Sequence, residues 1–449
     1  MVSYIYTDPD ENISIGTSVD SRQFGDLSIA MAAYSASVKD APRLDIFGVC
    51  VGGSTLSEIV KVGNVLYFGA CDKRVYCVSD QGQLIWKFST NGVNISPTVD
   101  NGRLFIGSFD ENFYCLDADN GRLLWKFGTN GMIASKPCTF GGNGSRGGDE
   151  RGSRVCFGSK DANVYCLDAD SGELVWKFRT HGPVTSDPVY YKGNIYIGSD
   201  DPVLYVIDGG TGELVRRIIS NGSFGTPVIV DDVIYVGCYD KNFYAFTTEG
   251  EGLWRYKHNI ALATRRPLLY DNILFMCSRD GTFYGITVDG KLYNKYVTHE
   301  NSWTTPVTDG QNLYFGSADG NFYAYDIETA SVAWKFPVKG VVVSTAALEN
   351  GILYFGGWDA HIYAITTSGE LVWKFKLDMS SPAAIEPEEE FRSGAQSQVV
   401  WSVEEAAEKE GRPSEGEADI ADYGEFSGTY IDTSKSDYVM GGSKKGKYR

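Results

Sequence analysis

The feature that most constrains how this chain can fold is a pattern of about 40 residues that occurs eight times. Most copies contain G-[SAC]-x-D-x-x-x-Y, then a turn with Asp or Gly, then an apolar segment ending in Trp-Lys-Phe or a variant. The repeated Asp residues are Asp72, Asp110, Asp161, Asp201, Asp240, Asp280, Asp319 and Asp359. The repeated Tyr residues are Tyr76, Tyr114, Tyr165, Tyr205, Tyr244, Tyr284, Tyr323 and Tyr363. A fixed internal period of this length is typical of repeat architectures.

The spacing of the copies is nearly constant. Successive Tyr positions are 38, 51, 40, 39, 40, 39 and 40 residues apart. The long interval contains the insertion GGNGSRGGDERG at 141–152, whose glycines and charges predict an exposed loop. Because the Asp and the Tyr recur in every copy, we interpret them as structural: the Asp in a hairpin turn, and the Tyr packed between repeats with its hydroxyl at a polar edge.

Within each copy the apolar residues alternate with a period of two, which predicts β-strands. Four short strands in about 40 residues make one meandering sheet, and such a sheet cannot bury both faces alone. Eight sheets stacked radially close into a ring. We therefore predict an all-β protein, an eight-bladed β-propeller of four-stranded antiparallel blades with non-repeat terminal extensions.

The composition divides the chain into three regions. Residues 1–53 lack the repeat, residues 54–380 form the predicted propeller, and residues 381–449 are acidic and poor in aliphatic side chains. We expect the last region to be largely disordered. It is a candidate partner-binding segment, a segment that packs over the propeller, or a passive solubilising tail. Which segment closes the ring stays open, since 1–53 contains a blade-like end and the last repeat carries its own Leu-Val-Trp-Lys-Phe.

The segments LDADNGRLLWKF from Leu116 and LDADSGELVWKF from Leu167 resemble the tryptophan-docking motif of quinoprotein-like (PQQ-like) propeller repeats. The resemblance implies that the motif's Trp packs on the neighbouring blade and locks the ring. The docking residues would be Trp86, Trp125, Trp176, Trp254, Trp334 and Trp373. Two copies depart from the motif, and we place Arg216 and Tyr293 at their Trp positions, where the contacts should be weaker or made differently.

The resemblance is specific for the fold and much less so for function. Proteins built from this repeat include quinone-dependent dehydrogenases, an outer-membrane assembly lipoprotein and uncharacterised cytoplasmic scaffolds. This sequence lacks the vicinal Cys pair of many such dehydrogenases, and its four His residues show no metal spacing. We therefore predict no catalytic residue, no cofactor and no metal site.

Charge and cysteine usage restrict the partners and the compartment. A formal net charge of −18 disfavours binding to phosphate backbones, so we expect no nucleic-acid partner. Nine Cys without framework spacing suggest free thiols in a reducing compartment. The first 20 residues do not match a signal peptide, and no apolar run approaches a membrane span. We predict a cytoplasmic protein without a membrane partner.

The candidate binding surface is the propeller face that carries the blade-to-blade linkers and the turns between second and third strands. Two positions there vary from copy to copy, which the fold does not require. The candidate residues are Lys136, Lys160, Asp187, Tyr239, Arg265, Arg266, Arg279, Trp303 and Trp358. Arg, Tyr and Trp are frequent interface anchors. The preferred interpretation is a non-catalytic scaffold for protein–protein interaction through this face, the tail, or both. The alternatives are a small-ligand sensor at the channel mouth and a quinone-dependent oxidoreductase.

Overall fold

The computed structural model describes residues 55–141, 152–258, 266–278, 281–298, 302 and 304–377. It also contains three two-residue strands, Val2–Ser3, Ser18–Val19 and Ile431–Asp432. The latch and the short helix predicted near the N-terminus, the core of the insertion, and most of the acidic tail lie outside these residues. In the part of the chain that is described, no helix is long and apolar enough to cross a membrane.

The predicted eight-bladed propeller is confirmed. Each blade is an antiparallel sheet in which strands adjacent in sequence pair with each other. Blades 1 to 4 consist of Val60–Val62, Val65–Gly69, Arg74–Ser79, Leu84–Ser89; Thr98–Asp100, Arg103–Gly107, Asn112–Asp117, Leu123–Gly128; Cys138–Phe140, Arg154–Ser159, Asn163–Asp168, Leu174–Arg179; and Val189–Tyr191, Asn194–Gly198, Val203–Asp208, Leu214–Ile219. Blades 5 to 8 consist of Val228–Val230, Val233–Gly237, Asn242–Thr247, Gly252–Lys257; Leu268–Tyr270, Ile273–Cys277, Thr282–Thr287, Leu292–Val297; Val307–Thr308, Asn312–Gly316, Asn321–Asp326, Ser331–Pro337; and Ala347–Glu349, Ile352–Gly356, His361–Thr366, Leu371–Lys376.

Two sheets depart from the four-stranded pattern. Val2–Ser3 pairs with Ser18–Val19 in a separate two-stranded sheet. Ile431–Asp432 pairs with the outer strand of blade 4, which makes blade 4 a five-stranded sheet.

The middle strands are apolar on both faces because each blade is packed between two others. In the second strand of blade 1, Leu66 and Phe68 are fully buried against Ile362 of blade 8. Tyr67, which points the opposite way, packs with Leu104 of blade 2. The hydrophobic core is therefore a ring of inter-blade layers, and no single blade has a core of its own.

The ring closes by contact between blades 8 and 1, and each of these blades is built from one continuous segment of the chain. The Trp373 indole N–H donates to the carbonyl of Asp80 at 2.8 Å. Near the axis, the Ile59 amide donates to the carbonyl of Thr345 at 3.1 Å. Among the described residues, closure uses the same kind of contact as the other seams and exchanges no strand between the two blades.

The docking Trp residues join six of the eight seams through one repeated hydrogen bond. Each indole N–H donates to a backbone carbonyl of the next blade. The bonds are Trp86 to Ala118 at 3.0 Å, Trp125 to Ala169 at 3.3 Å, Trp176 to Gly209 at 3.0 Å, Trp254 to Val288 at 2.8 Å, Trp334 to Thr367 at 3.0 Å and Trp373 to Asp80 at 2.8 Å.

The two remaining seams differ, and one sequence assignment was wrong. Arg216 occupies the Trp position of blade 4 and donates from Nη1 to the carbonyl of Thr248 in blade 5. A charged side chain thus makes the contact with the next blade that an indole makes elsewhere. In blade 6 the strand register places Asn294 opposite Gly285, at the position that is Trp in six other blades and Arg216 in blade 4. Tyr293 points outward and is 47% exposed. The aromatic residue suggested the wrong register, because Asn294 itself does not resemble a docking residue.

The repeated Asp holds each turn through several hydrogen bonds at once. The Asp161 carboxylate accepts from the Tyr165 hydroxyl at 2.7 Å and from the Asn163 amide at 3.1 Å. It also accepts from the Asn130 amide in the linker before its blade, at 3.0 Å. The Tyr-to-Asp bond recurs in all seven blades whose turn Asp is described. The repeated pair therefore fixes the turn in each of these blades, and in blades 2, 3 and 4 the Asp also binds the preceding linker.

One of these Asp residues provides a pH-dependent prediction. Asp72 is 2% exposed, and burial raises its pKa to about 6, although Tyr76 and Arg74 act in the opposite sense. An unfolded Asp titrates near pH 4, so between about pH 4 and 6 the folded state binds the proton more tightly. We expect the free energy of unfolding, relative to Asp72→Asn, to fall as pH rises through this window. Urea denaturation of both proteins from pH 4 to 7 measures this difference in the free energy of unfolding. A difference that does not change with pH would contradict the raised pKa of Asp72.

Candidate interaction face

The linkers and the second-to-third-strand turns lie on one face, because they are hydrogen-bonded to each other. In five blades the residue before the turn Asp donates its amide to a linker carbonyl. The pairs are Phe109 to Val93, Lys160 to Met132, Asp200 to Pro183 and Tyr239 to Ser223, each at 2.9 Å, and Trp358 to Val341 at 3.0 Å. The variable turn position is therefore held rigidly at this face.

Four of these turn residues form a continuous row across blades 2 to 5, which we call the turn strip: Phe109, Lys160, Asp200 and Tyr239. The Lys160 Nζ lies 5.8 Å from the centre of the Phe109 ring. Desolvation raises the pKa of Asp200, and the nearby Lys160 charge acts in the opposite sense. Tyr239 is 44% exposed, and desolvation together with the Asp200 charge raises its pKa. The strip places two charged side chains, Lys160 and Asp200, between two aromatic ones, and each member lies close enough to the next to interact with it.

In blades 8 and 1 the residue at the same turn position is buried. Trp358 and Cys71 are both fully buried, in a cluster with Val93 and Val343. The sequence placed Trp358 among the candidate partner residues, whereas the structure places it in the packing between blades 8, 1 and 2. Aromatic character alone does not distinguish an exposed anchor from a packed one.

A second set of polar residues surrounds the axis on this face. Each member lies two residues before the first strand of its blade. The members, which we call the inner ring, are Glu58, Ser96, Lys136, Asp187, Thr226, Arg266, Thr305 and Thr345. Backbone amides link them to the side chain of the next member: Glu58 to Ser96 at 2.9 Å, Lys136 to Asp187 at 2.7 Å, Asp187 to Thr226 at 2.9 Å and Thr305 to Thr345 at 3.1 Å.

An ion pair shows how narrow the inner ring is. Lys136 Nζ of blade 3 lies 2.7 Å from Glu58 Oε2 of blade 1, past the intervening blade 2. Two side chains from blades that are not neighbours can meet only where the blades converge on the axis. Arg266 is exposed in the same ring. The channel mouth is thus lined by hydroxyls and by charges of both signs.

The sequence identified six members of the inner ring by the proline that follows them. It missed Glu58 and Thr345, because Ile59 and Ala346 replace that proline in blades 1 and 8. A Ser precedes Glu58 and Thr345, as it does Lys136 and Asp187, but no such Ser precedes Ser96 or Thr226. Three of the candidate residues, Arg265, Arg279 and Trp303, lie outside the described residues.

The described residues also include eight free cysteines. Cys138, Cys156 and Cys166 lie directly opposite one another on three adjacent strands of blade 3. Burial raises the pKa of the Cys156 thiol well above its usual range. Within the parts of the chain that the structure describes, no group of three or more His, Cys, Asp or Glu side chains is arranged to hold a metal ion.

The fold and its docking motif define this chain as a propeller of the quinoprotein-like repeat class. The sequence model of the family described as "Outer membrane protein assembly factor BamB" matches residues 71–151, 141–216, 160–301 and 294–400. These matches cover well over half of the chain, and the chain belongs to this family.

Similar sequences are found in proteins named as enzymes. Tetrathionate hydrolase of Acidithiobacillus ferrooxidans is 25% identical over 172 residues, which are 37% of this chain and 32% of that protein. A 42-residue segment is 45% identical to the beta-alanine-activating enzyme of Danio rerio and covers 9% of this chain and 4% of that protein. The chain thus spans about a third of the first relative and a small part of the second.

Two solved structures show the same fold at low sequence identity. BamB from Moraxella catarrhalis has a TM-score of 0.58 and 18% identity, covering 70% of this chain and 95% of that one. The computationally designed Ika8 protein has a TM-score of 0.58 and 16% identity, covering 70% of this chain and 97% of that one. At these identities the likeness concerns the fold alone.

Proposed function

We propose that this chain is a non-catalytic scaffold that binds protein partners through the face formed by the turn strip and the inner ring. The observation that carries the proposal is the turn strip. Its residues occupy a repeat position that the fold leaves free to vary, next to an Asp that is the same in every copy. Positions that vary within an otherwise constant repeat are available for recognition, and exposed Tyr is enriched at the centres of interfaces.

The family supports the same interpretation in general terms, since its description is that of an assembly factor, a protein that acts on other proteins. The partner's identity does not follow from the family. A cytoplasmic location is part of the proposal and rests on the sequence features alone.

The test uses two exposed tyrosines as a matched pair. Tyr239 is 44% exposed on the turn strip, and Tyr293 is 47% exposed on the outer strand of blade 6. With a partner identified by cross-linking of the full chain, we expect Tyr239→Ala to weaken binding at least tenfold, because truncating an interface anchor costs about 2 kcal/mol or more. Tyr293→Ala should leave the affinity unchanged. Equal affinities for the two variants, measured by calorimetric titration, would contradict the proposed face.

A second function is favoured by the inner ring. Hydroxyls and opposite charges converging on a channel mouth are the kind of polar lining that orients a small ligand. Binding there would raise the thermal midpoint of unfolding with ligand concentration, by mass action. Lys136→Met would remove that shift, whereas Tyr239→Ala, on the turn strip and outside the inner ring, would leave it unchanged, so the two functions are separable.

A further inference from the structure

The outer edge of blade 4 differs from the outer edges of the other seven blades. It is paired in antiparallel register with Ile431–Asp432, so that Ile218 faces Ile431 and Arg217 faces Asp432. Within the described part of the chain, the outer strands of the remaining blades are the last strands of their sheets. A sheet edge carries a row of backbone donors and acceptors that an added strand can use.

Burial at two repeat positions also sets blade 4 apart, in keeping with the pairing. In seven blades the basic residue of the outer strand is exposed: Lys87, Lys126, Lys177, Arg255, Lys295, Lys335 and Lys374. In the same blades the next, aromatic residue is partly buried: Phe88, Phe127, Phe178, Tyr256, Tyr296, Phe336 and Phe375. In blade 4 the equivalent Arg217 is partly buried, and Ile218 is completely buried.

The chemistry of the two strands is complementary. Directly opposite residues in an antiparallel pair have Cβ atoms about 5 Å apart, so opposite charges and two β-branched residues facing each other favour the pairing. Lys and Arg on an edge strand usually discourage pairing with another strand. In the backbone register of this pair, the residue opposite Arg217 is Asp432 and the residue opposite Ile218 is Ile431.

The length of chain before Ile431 allows it to reach blade 4 within one molecule. Blade 4 lies across the ring from blade 8, whose last described residue is Leu377. Four strands spaced about 4.8 Å apart on each side of a channel give a ring on the order of 50 Å across. The 53 residues at 378–430 would span up to about 170 Å if fully extended. Reach therefore does not limit docking, and tethering raises the local concentration of the segment.

We infer that the outer edge of blade 4 is a strand-docking site whose occupant is the chain's own C-terminal segment at Ile431–Asp432, bound in cis. The mode is β-augmentation, in which backbone hydrogen bonds give affinity and the facing side chains give specificity. This inference is separate from the proposed function, because the site lies on the outer rim and not on the face of the turn strip. The sequence that precedes the docked strand, residues 381–430, carries 13 acidic and 3 basic residues.

Hydrogen exchange of the full chain tests the inference, with the other blades as internal controls. Amides of the outer strand that face away from the sheet should exchange at least tenfold more slowly in Leu214–Ile219 than in Leu174–Arg179 or Leu371–Lys376. Ile431→Pro removes an amide donor and should abolish this extra protection. Ile420→Pro, the same change elsewhere in the tail, should have no effect. Protection retained in blades 3 and 8 would show that the ring is still folded in each variant.

A charge exchange tests the register. Arg217→Glu places like charges opposite each other and should remove most of the extra protection, whereas Arg217→Glu with Asp432→Arg should restore it. The inference is overturned by equal exchange in all outer strands, by no response to Ile431→Pro, or by no rescue in the double variant. Protection that disappears on dilution, together with a dimer in native mass spectrometry, would overturn docking in cis.

Discussion

Trp176→Ala lowers the free energy of unfolding by about 3–5 kcal/mol, the usual cost of removing a buried Trp. Trp176 is 7% exposed, and its indole donates to Gly209 of blade 4. It also packs on Gly212, where φ is +76° and an added Cβ would lie 2.6 Å from the indole ring. The substitution therefore removes packing and a hydrogen bond from one seam of a closed ring.

The matched control for this prediction is Tyr293→Ala, at the aromatic residue that does not dock. It should change the free energy of unfolding by less than about 0.5 kcal/mol, because the side chain lies at the exposed outer rim. Urea denaturation of the three proteins gives both values. Similar costs for the two substitutions would contradict the claim that the indole contacts lock the ring.

Asp161→Ala lowers the free energy of unfolding by about 3 kcal/mol, because the Tyr165 hydroxyl and two backbone amides lose their acceptor together. Desolvation raises the pKa of Asp161, but its hydrogen bonds, led by that of Tyr165, outweigh this and leave the pKa below its usual value. The stabilisation is therefore complete above about pH 4, where an unfolded Asp is ionised, and is lost as pH falls through the folded pKa.

Asp170→Ala is the control for the Asp161 prediction. Asp170 is 59% exposed and pairs with Arg103 at 2.7 Å, a surface ion pair that contributes at most about 1 kcal/mol. Denaturation of both variants from pH 7 down to pH 3 measures the comparison. A small effect of Asp161→Ala at pH 7, or one that does not shrink in acid, would show that the repeated Asp is not the anchor of its turn.

The architecture was predictable because the same physical constraint is repeated eight times. Alternating apolar residues specified strands, and the recurring Asp and Tyr marked each turn, so an error in one copy was corrected by the others. Where a copy departs from the pattern this redundancy is lost. Asn294 was missed for that reason, since Tyr293 beside it looked like a substitute for Trp.

The candidate face was predictable in position but not in exposure. The sequence identified the variable turn residues, yet nothing local distinguishes the exposed Tyr239 from the buried Trp358, because the difference depends on packing with the next blades. Glu58 and Thr345 were missed because the identifying proline is absent there. The pairing of Ile431–Asp432 with blade 4 could not be read from the sequence, since two residues carry no detectable period.

The central claim is that this propeller acts by holding another protein. Native mass spectrometry, with an absorbance spectrum, on protein purified gently from its own source tests it most directly. The scaffold predicts this chain in complex with one or more co-purifying polypeptides, and an absorbance spectrum explained by protein alone. A bound small molecule absorbing in the near ultraviolet, on a chain without polypeptide partners, would contradict the claim and make the inner ring the functional site.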